Sequence, residues 1–238
     1  CIGIGRYSLT IGESFGVLFN SLLSGRESVD AQSFSVVVNI RLPRIILALL
    51  CGAGLAVSGG AFQALFTNPL ATPDTLGVAA GASFGAALAL LIYDNLVWIQ
   101  AVALLMGLLA VFLTYSISRL RGKLTIIMMV LSGLVISSMF QAFVSLIKYV
   151  AAPEDKLPAI TYWLMGSLSS ITYKSLWLGA PFIVVGIAIV FLLRWKLNVL
   201  SLSEDEAHSM GVNVKRLRII IIIAATMITA SAISMCGQ

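Results

Sequence analysis

Arg41 and Arg44 stand three positions apart in "IRLPR", directly before more than twenty residues that carry no charge. Guanidinium groups fork onto carboxylates and phosphates, so the pair could snorkel to lipid phosphate or receive an acidic partner. A second polar cluster is "SLSEDEAHSMG", Ser201 to Gly211. Ser203 can cap a helix and Glu206 can return the bond in a capping box, with Glu204 and Asp205 favourable at the positive end of the helix dipole. Gly211 can then supply the left-handed residue that ends the helix after about two turns. So short a helix needs a surface to lean on, either its own bundle or another protein. A third stretch, "TNPLATPD", has the Asn-Pro and Thr-Pro-Asp steps of turns and caps.

Catalytic chemistry has little to work with. There is no HExxH, GxSxG or Walker A loop, and the one histidine, His208, lies in the polar cluster. The chain is therefore not expected to be an enzyme, to hold a cofactor, or to hydrolyse ATP by itself; energy for uphill movement must arrive from another subunit. The three cysteines, two of them (Cys51 and Cys236) in apolar runs, form neither a disulfide framework nor a metal-ligand spacing and read as small packing residues.

The elements that must position these groups are membrane spans. Of 238 residues, 59% are hydrophobic and 11% charged, and the mean hydropathy is +1.02. A span needs about 20 mainly apolar residues. Six stretches qualify: Ile45 to Phe66, Leu76 to Ile92, Leu96 to Ile117, Leu124 to Ile147, Ser175 to Leu193 and Ile219 to Cys236. They are continuous rather than alternating, which predicts an all-α polytopic bundle in the lipid bilayer and not a barrel.

All fifteen Lys and Arg fall between the stretches. Arg119, Arg121, Lys123, Arg194, Lys196, Lys215, Arg216 and Arg218 form the denser set, which the positive-inside rule makes cytoplasmic. Lys215, Arg216 and Arg218 read as anchors to anionic lipid rather than a nucleic-acid site. "IRLPR" is then external, against the usual bias. Small residues recur every four positions at Gly52, Ala56, Gly60 and Ala64, and again at Gly77, Gly81, Gly85 and Ala89. Such stripes predict faces packed closely on neighbouring helices. No stretch contains Asp, Glu, Lys, Arg or His, which disfavours the alternative of an ion-coupled secondary transporter.

The stretches "RLPR", "GAGLAVSGGAFQALFTNPLATPDTLGVAAGA", "YWLMGSL" and "LSEDEAHSMGVNVKRLR", in this order, resemble the FecCD or BtuC-like permease subunits of ABC importers for iron-siderophores, haem and vitamin B12. The resemblance implies an inner-membrane homodimer with ten spans per subunit, two cytoplasmic ATPases and an external substrate-binding protein. Six or seven of those spans would be present here: an external segment 1–44, spans two to six over 45–193, a cytoplasmic coupling loop 194–218 and span seven over 219–236. By the same resemblance Arg41 and Arg44 meet acidic residues of the binding protein. Asn68, Pro69 and Leu70, with Thr125, form an inner gate. Ser203, Glu204, Asp205, Glu206, Ala207, His208, Gly211 and Val212 form the helix that couples to the ATPase, and a short external helix lies between Lys148 and Lys174.

Overall fold

The computed structural model describes the chain except residues 1–6, 8, 24–29, 70, 94, 120–125, 170, 201–203 and 238. It begins with α1 (Ile11–Leu23), started by a capping box: Thr10 N donates to Glu13 Oε2 at 2.8 Å, and Glu13 N to Thr10 Oγ1 at 3.2 Å. Thr10's backbone bond, then its hydroxyl, hold the Glu13 carboxyl below its ordinary pKa. Ile11, Phe15 and Phe19, one turn apart, form an apolar stripe left exposed.

Next comes a continuous helix of 36 residues, Ala31–Phe66, built from α2 (Ala31–Phe34), a π-helical segment (Ser35–Arg41) and α3 (Leu42–Phe66). Asp30 caps it through Ser33 N at 3.1 Å. The wide turn has a local cause. Pro43 has no N–H to give, and Leu42 N reaches back five residues to Val37, so the helix runs on past the proline instead of starting there. Arg41 and Arg44 thus lie within a helix, where the sequence placed them beside its end.

α3 ends at Thr67, left-handed at φ 49°, with Asn68 N bonded to Gln63 O at 3.1 Å. The chain then folds back through a 3-10 turn (Pro73–Leu76) and left-handed Gly77 into α4 (Val78–Ile92). The expected second span is accordingly short: 15 residues rise about 22 Å. Most of α4 is buried on every side, so it faces protein rather than lipid. Non-helical backbone survives here because protein satisfies it: Thr114 Oγ1 donates to Leu76 O at 3.0 Å.

The remaining helices are α5 (Leu96–Arg119), α6 (Ile126–Val150), a short α7 (Lys156–Leu164), α8 (Tyr173–Leu192), two short helices α9 (Arg194–Val199) and α10 (Glu204–Ser209), and α11 (Val214–Cys236). Among the described residues five helices are long and apolar enough to cross a membrane, α4 being the shorter sixth, and none is a strand. Buried α11 packs on α3, α4, α5 and α8.

The two small-residue stripes part company. On α4, a Cβ at Gly81 would meet Ala110 Cβ and Met106 O at 2.6 Å, and one at Gly85 would meet Val102 O at 2.5 Å, so α4 and α5 touch backbone to backbone. On α3, nothing lies within 4 Å of a Cβ built at Gly52 or Gly60. Within this chain those two glycines meet no neighbour, while Ala64 of the same stripe packs on the core, because α3 turns inward the face that bears Cys51, Gly54, Ser58, Ala61 and Phe62.

Candidate functional site

A cavity of about 790 Å³ runs beside α3 and α11, lined among others by Leu55, Thr72, Asp74, Met165, Ser167 and Thr229. The folded-back turn supplies its inner wall and the 165–168 segment its outer one. The 3-10 turn is wedged in place: a Cβ at Gly133 of α6 would lie 2.9 Å from Thr75 C and 3.0 Å from Leu76 Cα. The turn therefore presents Asp74, exposed, to the cavity. The cavity thus carries a carboxylate although the spans have none, brought by a turn rather than a helix.

The outer end is laced by donors to main-chain carbonyls. Arg41, only 8% exposed, donates from Nη2 to Tyr7 O at 2.6 Å. Arg44 donates from Nη2 to Ser169 O, while its buried Nε has no partner. Tyr173 Oη donates to Val38 O at 2.6 Å, and Ser167 N to Cys236 O at 2.7 Å. The arginines thus bind the external segments to α3. This use of both guanidinium groups was not legible in the sequence, since Tyr7 and Ser169 are distant in the chain and accept through backbone.

At the far end of α3, Asn68 is half-buried and Pro69 exposed; the other two residues expected to form a gate, Leu70 and Thr125, lie outside the described residues. α10 is short, as expected. Val212 N donates to Ala207 O at 3.2 Å across left-handed Gly211, φ 75°, the closing bond of a Schellman motif. Ser203, the expected cap, lies outside the described residues, and of Glu204, Asp205 and His208 the helical backbone alone is described. Ala207 is buried at 1%, beside Val214 and Leu217 in the core, whereas Glu206, Ser209, Met210 and Gly211 are exposed. The helix leans on its own bundle by one face and offers the other. Met210, 63% exposed, was not singled out from the sequence; an apolar residue just before the capping glycine was the available signal.

The expected residues form no single site. The arginines stand at the outer end of the bundle, and Asn68, Pro69 and α10 at the inner end, with the cavity between. Among the described residues no group of three or more His, Cys, Asp or Glu could hold a metal ion.

An apolar bundle with five helices long enough to cross a membrane among its described residues defines a multi-pass membrane protein, here with a cavity beside α3 and α11. The family follows from comparison with known proteins: a profile of the FecCD transport family matches residues 1–238, and the chain belongs to that family. It is 35% identical over 238 residues to the molybdate import system permease protein MolB of Haemophilus influenzae, covering 100% of this chain and 70% of that one. It is 36% identical over 234 residues to the "Probable iron chelatin transport system permease protein" of Helicobacter pylori, covering 98% and 71%. An ABC transporter solved in an inward-facing conformation superposes with a TM-score of 0.84 at 34% identity, covering 100% of this chain and 71% of that one. The protein is thus the permease subunit of a binding-protein-dependent ABC importer of the inner membrane.

Proposed function

We propose that this chain walls the path for a small metal chelate, of the iron-siderophore, haem or cobalamin type, and that a cytoplasmic ATPase drives it through α10. The observation that carries the reading is the division of α10: Ala207 is anchored in the core while Glu206, Met210 and Gly211 stand out from it. A rigid helix anchored on one face transmits a push on the other. The push passes through Asn213, whose side chain caps α11 by accepting from Arg216 N at 3.0 Å, into a helix that reaches the outer end. Displacing α11 then shifts the population between inward- and outward-open states. The chain itself catalyses nothing in this scheme, and ATP hydrolysis belongs to the partner.

The cavity supports the cargo class by size, since 790 Å³ falls within the roughly 300–1,000 Å³ usual for small-molecule sites. The substrate-binding protein docks at the outer end, where carboxylates compete with the Tyr7 and Ser169 carbonyls for Arg41 and Arg44. The gate is formed by Asn68, Pro69, Leu70 and Thr125, closed against a second copy of the subunit. The test is purification from membranes followed by uptake in vesicles. Co-purification of a Walker A-containing ATPase, ATP-dependent uptake, and their joint loss on replacing Met210 by Glu support the reading. Uptake that persists without ATP, dissipated by an ionophore, refutes it.

A further inference from the structure

Cys51 and Cys236 belong to α3 and α11, yet both line the same cavity. The register of the two helices explains the meeting. Ser58 and Thr229 are hydrogen-bonded at 3.2 Å, and each cysteine lies seven residues nearer the outer end than its neighbour in that pair. Seven residues are two turns, so two antiparallel helices that touch at Ser58 and Thr229 touch again at the thiols.

The surroundings suit thiol chemistry at this spot. Cys236 Sγ donates to Ala232 O at 2.9 Å, which turns its proton back along α11 and leaves sulfur lone pairs for Cys51. α11 stops one residue later at Gly237, whose φ of 84° is positive, and Ser167 N holds the Cys236 carbonyl from the cavity's outer wall. Apolar walls admit uncharged reagents more readily than ions. Packing alone asks for no second sulfur here, and the transport scheme above uses neither thiol.

We propose that Cys51 and Cys236 are a redox-responsive dithiol site on the cavity wall, which a small uncharged disulfide oxidant closes to a disulfide joining α3 to α11. One thiol loses its proton and attacks a sulfur of the oxidant, forming a mixed disulfide and expelling one thiolate. The second thiol, deprotonated in turn, attacks the protein sulfur of that mixed disulfide and expels the other thiolate. The protein loses two hydrogens, and one oxidant is reduced to two thiols.

The test is treatment of the full protein in detergent micelles with 4,4′-dithiodipyridine, in a Cys1→Ser background, read by released thiopyridone and by mass of the peptides bearing the two cysteines. The expected result is release of two thiopyridones per chain, no retained thiopyridyl group, and a single linked peptide lighter by two hydrogens. Cys51→Ser should trap a stable thiopyridyl adduct on Cys236, and Cys236→Ser one on Cys51. Two stable adducts on the protein with both thiols would overturn the site, as would disulfide-linked dimers or no reaction until unfolding.

Discussion

Gly133→Ala tests the wedged turn that brings Asp74 to the cavity. The added methyl carbon would sit 2.9 Å from Thr75 C and 3.0 Å from Leu76 Cα, with the Thr75 carbonyl oxygen closer still. These are backbone atoms, which cannot swing aside as a side-chain tip does. The 3-10 turn must back away, and in doing so it stretches the 3.0 Å bond from Thr114 Oγ1 to Leu76 O. Overpacking costs about 1–3 kcal/mol and the weakened hydrogen bond about 0.5–1.5 kcal/mol. Gly60→Ala is the control, because nothing lies within 4 Å of a Cβ at Gly60. Both changes gain the same roughly 0.5–1 kcal/mol of helix propensity, which cancels in their difference. Gly133→Ala should thus be less stable than Gly60→Ala by about 1.5–4.5 kcal/mol in reversible unfolding by SDS in mixed micelles. Adding Thr114→Val to Gly133→Ala should cost less than Thr114→Val alone, since the bond is already strained. Equal stability of the two alanine variants would show that the turn is not held against α6 as described.

Three further outcomes are expected. Arg44→Glu should slow association of the substrate-binding protein by tenfold or more at low salt and flatten its salt dependence in stopped-flow binding; an unchanged rate removes docking from that residue. Gly211→Ala meets open space but forces φ 75° on a residue with a Cβ, which costs about 1 kcal/mol. Gly211→Pro cannot take that φ, so it should uncouple ATP hydrolysis from uptake, and full uptake in that variant would break the link between α10 and the ATPase. Glu13, its pKa lowered by Thr10, stabilises the start of α1 in its charged form. That contribution is full above the ordinary carboxylate pKa and is lost as pH falls through the lowered one. The protection of the first-turn amides of α1, corrected for their intrinsic exchange rates, should therefore fall in acid, and Glu13→Ala should abolish that fall.

What could be read before folding was whatever depends on neighbours a few positions away. Gly211 is left-handed in the structure, as its place after a short polar helix foretold, because a helix end is settled by its own last turn. Asp74 was passed over for the same reason inverted. "ATPDTLG" has ordinary turn chemistry, and its return into the bundle depends on Gly133 and Thr114, more than thirty residues away.

Hydropathy alone determined that this chain lives in a bilayer and that helices cross it, since transfer from water is a sum over residues and needs no partner. Tertiary structure decided that Arg41 is buried, that the α4 stripe packs on α5 while Gly52 and Gly60 of α3 meet no neighbour within this chain, and that Cys51 and Cys236 share one cavity wall. Those outcomes turn on which face each helix gives its neighbours, and inside lipid nearly every face is apolar. Shape and a few hydrogen bonds then choose among orientations that hydropathy cannot tell apart.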